Sequence, residues 1–278
     1  MSLAVTAYWH WYDITSIALS PTPFTLLGTA ITIFLGFRTN TAYSRWWEAR
    51  TLWGGIINQS RTIVRQALTF SMPKPGEAEL PTPFAQEIAY YQLALVNAMR
   101  AHLRQQDPIE EARPYLPASE LELLQGERNV PSALLVRMGL CLRRAFQGSE
   151  IDTIQLNAMD DTLNDLTNLL GGCERIKNTP IPQQYDTVPQ LAIYVYSTLL
   201  PLGLIEPMHW WTPVISSLIT FFFIAIDSIG SNIEDPFENS MHDVPLSALC
   251  RTIEINLRQM LQEKELPPPL QEVDGVLH

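Results

Sequence analysis

Positive charge is scarce in this sequence. Eighteen Lys and Arg stand against 29 Asp and Glu, a formal net charge of -11 at pH 7, whereas gripping a phosphate backbone takes clustered cations. Nucleic acid is therefore not an expected partner. Cysteine is scarcer still: Cys141, Cys173 and Cys250 lie far apart and form no Cys-x-x-Cys pair, so neither a zinc knuckle nor a dithiol redox motif is available. They read as reduced residues packed in a core. Catalytic signatures are missing as well. There is no GxSxG, P-loop, HExxH or Rossmann glycine pattern, and His10, His102, His209, His242 and His278 keep no ligand-like spacing. Nothing nominates an enzyme, and no cofactor is implied. The first residues, MSLAVTAYWHWYD, lack a basic n-region and a small-residue cleavage site, so they do not resemble a secretory signal. No stretch alternates apolar and polar residues with period two between hairpin turns, which argues against strands and for an all-α chain.

What the sequence has in quantity is uncharged apolar length. Mean hydropathy is near zero at +0.02, yet 17% of the residues are charged, so the chain divides between lipid and water. From Ile14 to Phe37 all 24 positions lack Lys, Arg, Asp and Glu, enough to cross a hydrocarbon core of roughly 30 Å as a helix. A second cluster forms a hairpin, Pro189–Ile205 and Thr212–Gly230, joined by EPMHWW. Trp210 and Trp211 there suit a membrane–water boundary. Arg38, Arg45, Arg50, Arg61 and Arg65 follow the first cluster, and Arg251, Arg258 and Lys264 follow the second, while Glu206–Trp211 has no Lys or Arg. The positive-inside rule then puts the middle region and the C-terminus in the cytoplasm.

The organisation expected from this is a membrane part at 1–37, a cytoplasmic extension of the second helix at 38–70, a cytoplasmic helical region at 71–188, a transmembrane hairpin at 189–230, and a cytoplasmic C-terminal segment at 231–278. Within the middle, Phe84, Ile88, Tyr91, Leu95, Met99 and Leu103 recur every three to four residues and predict an amphipathic helix with one buried face. A second helix starts near Pro131. A third covers IDTIQLNAMDDTLNDLTNLLGG and is expected to end at Gly171–Gly172. KPGEAELPTP reads as a linker, and ELPPPLQEVDGVLH as an extended or disordered tail.

Three features bear on function. Thr29, Ile33 and Phe37 stand four apart on one helical stripe. Around a shared axis they would form a narrow apolar constriction that gates by dewetting, and by periodicity alone ordinary helix packing is the more common reading. Asp227 is the only ionisable group inside the last apolar stretch. Such a group faces the protein interior or an aqueous cavity, or, so near the end of the stretch, reaches interfacial water. The acidic run Glu234, Asp235, Glu238 and Asp243, with His242, offers oxygens for a hard divalent cation. It lacks the glycine and the spacing of an EF-hand loop, and solvated charge and helix capping are favoured.

PFTLLGTAITIFLGFRTNTAYSRWWEARTLWG resembles the second transmembrane helix of the bestrophin family, in particular its bacterial and plant-type members. GGCERIKNTPIP ahead of the hairpin and IEDPFENSMHDVPLSALCRTIEINLRQM behind it resemble downstream signatures of the same family in the same order, so the resemblance runs from about Leu3 to Leu261. It implies a homopentameric ion channel with four membrane helices per subunit, a large helical cytoplasmic part and one pore on the fivefold axis, set in a bacterial inner membrane. Thr29, Ile33 and Phe37 then match the rings of the family's hydrophobic neck. The second, cytoplasmic constriction falls at Asn157, or at Ile154 if the register slips by one turn. Family necks usually carry a bulky apolar residue in place of Thr29, and the cytoplasmic ring is commonly apolar where Asn157 stands; both departures make a wetter pore. The acidic run is shorter than the aspartate-rich clasp of animal members. The family has about one more helix length ahead of Met1, so the first membrane helix, Leu3 to Ser20, looks shortened.

The resemblance points to small monovalent ions and leans to anions such as chloride. A cation-selective channel of the same fold is the nearest alternative, because the net charge is acidic. From another class comes a non-conducting membrane scaffold that binds a soluble partner through an apolar patch on its cytoplasmic helices.

Overall fold

The computed structural model describes residues 1–12, 19–72 and 81–272, and all regular structure among them is helical. The chain divides into two compact units, Met1–Trp46 with Pro180–Asp235, and Trp47–Thr179 with Pro236–His278. Helix α2, Pro21–Phe70, contributes residues to both.

In the first unit, α1 (Ser2–Tyr12) packs on α8 (Gln184–Met208) and α9 (Thr212–Asn232). Ser216 Oγ donates to Ser2 Oγ at 2.9 Å. The long uncharged run is not one helix. Residues 13–18 lie outside the described ones, Leu19 and Ser20 are non-helical, and α2 begins at Pro21. Proline suits a first helical turn, whose N–H groups have no intrahelical acceptor in any case. The hairpin is helical from Gln184, and Pro189, Pro201 and Pro207 lie inside α8 without ending it. Neighbouring helices make such prolines tolerable in apolar surroundings. A single 3-10 turn, His209–Trp211, reverses the chain, and Thr212 Oγ1 closes it by donating to the Leu204 carbonyl at 3.2 Å. The helical stretch Gln184–Asn232 is long and apolar enough to cross a membrane, and only 17% of its most apolar window is buried by the rest of the chain.

The buried stripe of α2 in this unit is Phe24, Gly28, Ile31, Leu35, Arg38 and Ala42, spaced alternately by four and three residues, the repeat that keeps one seam facing a partner. Phe24, Ile31 and Leu35 join Ile193, Tyr196 and Leu200 of α8 and Phe223 of α9 in one apolar core. Gly203 makes the approach possible: a Cβ there would overlap the Phe24 ring, and one at Gly28 would stand 2.8 Å from the Tyr196 hydroxyl.

The second unit centres on α3, Pro83–Leu103, packed against α6 (Val130–Gln147), α7 (Thr153–Asn178) and α10 (Leu246–Met260), with α4 (Pro108–Ala112) and α5 (Ala118–Leu124) around it. The expectation of one buried face for α3 is corrected here. The intervening Ala85, Ala89, Ala94, Ala98 and Ala101 are buried too, because small side chains let neighbours close in from several sides. Two of its buried amides donate within the unit, Gln92 Nε2 to Ser60 Oγ at 2.8 Å and Asn97 Nδ2 to the Leu93 carbonyl at 2.9 Å, while Gln92 Oε1 is buried with no hydrogen-bond partner among the described residues.

Helix α7 opens with a capping box of Asp152 and Gln155, but Gly171–Gly172 do not end it and it continues to Asn178. The glycines serve packing instead. A Cβ on Gly172 would lie 3.0 Å from Leu52, and one on Gly55 would lie 2.8 Å from Leu169, so α2 and α7 meet through reciprocal small-against-large contacts.

All three cysteines are free and buried. Burial pushes each thiol up to about 12, with Glu87 adding to the effect at Cys141 and Glu174 at Cys173. At pH 8 that leaves about one thiolate in ten thousand, and the thiolate is the reactive form. Folded protein is therefore expected to take up almost no maleimide within an hour, and urea-denatured protein three equivalents, as read by intact mass. Rapid labelling of the folded protein would show that the second unit opens.

Candidate functional site

Helix α2 presents two faces in the first unit. Ile33 lies two residues from both Ile31 and Leu35, so it points roughly 200° away from the buried seam. Thr29, Ile33 and Phe37 are accordingly all exposed, Ile33 at 53% and Phe37 at 63%. Thr29 Oγ1 is turned back onto its own helix, donating to the Thr25 carbonyl at 2.9 Å. It shows the surroundings its methyl group more than a free hydroxyl. The stripe is thus an uncharged surface that the chain's own core leaves open.

Ile154 and Asn157 lie one turn apart near the start of α7. Both are exposed, Ile154 at 79%. Either can therefore meet another molecule or solvent from this helix end, and Asp152, as N-cap, fixes where the end begins.

Asp227 has a specific partner. It accepts from Arg38 Nη1, while Arg38 Nη2 pairs with Asp186 in the first turn of α8 and donates to Ser231 Oγ at 2.9 Å. Glu234 Oε2 stands 3.9 Å from the same Nη2. Arg38 itself is only 3% exposed, and a buried guanidinium persists only when paired and hydrogen-bonded. Asp227 is thus directed at a buried partner within its own unit. Burial lifts the Glu234 carboxyl above the usual glutamate range, against the opposing pull of Arg38.

The acidic run is not drawn together into one cluster. Among the described residues no three His, Cys, Asp or Glu side chains gather closely enough to hold a metal ion. Glu234 is directed at Arg38, and Asp243 folds onto its own turn, accepting from Ser240 N at 2.8 Å and Ser240 Oγ at 2.7 Å. Glu238 is exposed and left to solvent, and Asp243 caps its own turn.

Arg38 and Asp186 were not singled out as site residues by sequence reasoning. In the sequence Arg38 reads only as a topological charge. The available signal was its spacing: it falls on the same seam as Phe24, Gly28, Ile31 and Leu35, so a helix that buries those residues buries Arg38 as well.

Comparison with known proteins places this geometry among relatives. The model of the bacterial and fungal bestrophin family matches residues 1–259. The voltage-dependent anion channel-forming protein YneE of Salmonella typhi is 35% identical over 267 residues, covering 96% of this chain and 85% of its own length. The voltage-dependent anion channel-forming protein RSc3414 of Ralstonia nicotianae is 36% identical over 264 residues, covering 95% and 84%. Among solved structures, a bacterial bestrophin homologue from Klebsiella pneumoniae superposes with a TM-score of 0.86 at 34% identity, over 95% of this chain and 96% of that one. A structure of a membrane protein variant gives a TM-score of 0.87, also at 34% identity, over 95% and 96%.

Proposed function

The chain belongs to the bacterial and fungal bestrophin family, a channel family and not an enzyme family, and from that premise we propose that it forms a homopentameric channel for small monovalent ions. The pore lies on the shared axis, with a neck of Thr29, Ile33 and Phe37 and a second constriction at Asn157 or Ile154 on the cytoplasmic side. The carrying observation is that α2 buries one seam in its own unit and leaves the uncharged Thr29–Ile33–Phe37 stripe exposed. Five copies of such a stripe make a narrow apolar ring, and an apolar constriction holds ions back by shedding water.

A second apolar surface accompanies the stripe. A groove of about 420 Å³ between α2 and α8 is lined by Leu27, Phe34, Val188, Leu191, Val195 and Leu199, an apolar lining that suits lipid or a neighbouring copy. The relatives are named as anion channel-forming, and the proposal follows them in favouring chloride-like anions over cations. The protein sits in the bacterial inner membrane as a multi-pass subunit. The Arg-rich continuation of α2 and the second unit are cytoplasmic, as the distribution of Lys and Arg implies.

Planar-bilayer recording of the purified oligomer under a KCl gradient tests this. A reversal potential near the chloride equilibrium value is expected, and one near the potassium value would replace the anion reading by the cation-selective one. A silent bilayer from intact oligomers that stays silent when the neck is truncated would favour a scaffold.

A further inference from the structure

Arg38 directly follows Phe37, and the two side chains leave α2 about 100° apart. One is exposed at 63% and the other is buried at 3%. The rest of the α2 seam in this unit is apolar or small, and apolar contacts resist sliding and rotation weakly because they are non-directional. The guanidinium is different. Its planar fork meets Asp227 and Ser231 on α9 and Asp186 on α8 at once, so it fixes both the height and the rotation of α2 against two helices. That constraint acts one residue from the last proposed neck ring.

Resting on the neck reading above, we infer that Arg38, held by Asp227 and Asp186, is the positioning residue of the Phe37 ring. Its clamp sets where Phe37 points and thereby the width of the inner end of the neck. The pairing partners divide the work. Asp227 is the deeper carboxylate, with its side chain 15% exposed against 43% for Asp186, and it anchors the guanidinium. Asp186 sits in the first turn of α8, where an acid is favoured by the helix dipole, and ties that helix end to the same group. A lysine in place of Arg38 keeps the charge but is a single point rather than a fork, so it balances the buried carboxylates without fixing the rotation of α2.

The test is a cycle of four channels in planar bilayers: the parent, Arg38→Lys, Phe37→Ala and the double variant, each first confirmed as an oligomer by size-exclusion chromatography in detergent. If Arg38 acts through the ring, Arg38→Lys changes the unitary current of the parent by about threefold or more, the scale of coupling between contacting residues. It then changes nothing further once Phe37 is alanine. Equal effects of Arg38→Lys in both backgrounds would overturn the inference, since the clamp would then act elsewhere. So would no effect of Arg38→Lys beside a clear effect of Phe37→Ala, which leaves the neck reading standing. A Phe37→Ala current equal to the parent's removes the neck reading itself and the clamp with it. Should Arg38→Lys fail to assemble, Asp186→Asn, which spares Arg38 and Asp227, enters the same cycle with the same expectations.

Discussion

Replacing Ile33 and Phe37 together by alanine is expected to raise the single-channel current severalfold, while leaving the oligomer intact. The argument has two parts. Both side chains are exposed in the single chain, so truncating them removes little from the protomer's own core. With five copies of each residue ringing the neck, losing three carbons from each Ile33 and the phenyl group from each Phe37 widens it and lets water stay, which lowers the barrier to ion passage. A barrier reduced by only ~1.4 kcal/mol already corresponds to about tenfold in rate. The measurement is unitary current in symmetric KCl beside the parent. A current equal to that of the parent from a well-formed double variant would dismiss the stripe as the neck and leave it as a lipid-facing surface. Thr29, whose hydroxyl is committed to the Thr25 carbonyl, is expected to matter less to the current than either of the two larger residues.

The largest structural effect is expected at Gly203. A valine there would drive its side chain into the Phe24 ring, and Phe24 is part of the apolar core that joins α2, α8 and α9. Overpacking a close-packed core costs about 1–3 kcal/mol even where neighbours shift, and here the obstruction is a ring wedged between helices, not the free end of a long chain. Gly203→Val is expected to lose the monodisperse oligomer peak or to melt well below the parent. Pairing it with Phe24→Ala, which vacates the space, is expected to recover much of the loss. A Gly203→Val protein that melts with the parent would mean that α2 and α8 do not approach as closely as described.

Both predictions come from the same division of α2, and they show what could be read in one dimension. The i, i+4 series of Thr29, Ile33 and Phe37 is visible as spacing, but spacing alone does not say whether the stripe faces a core or an opening. The opposite seam is the one buried in the chain's own core, since Phe24, Ile31 and Leu35 find partners on helices more than 150 residues away in the chain. The same limit applies to Gly171–Gly172. Paired glycines are local stop signals, yet α7 runs through them because Gly172 is needed against Leu52. In α3, the three-to-four residue repeat of large apolars was legible, while the burial of its alanines depended on how many helices surround it.

The sequence by itself determined that the chain is helical, that it carries long uncharged apolar segments, and that it belongs with the bestrophins. The first two follow from composition and periodicity and the third from the resemblance of three motifs in order, all of them legible along the chain. Tertiary structure alone decided that Asp227 and Asp186 share Arg38, that Glu234 faces the same arginine while Asp243 turns onto Ser240, and which face of α2 stays exposed in the single chain. Those outcomes depend on pairings between segments far apart in sequence. A buried guanidinium must find its carboxylates wherever the packed helices bring them, and no local pattern records where that will be.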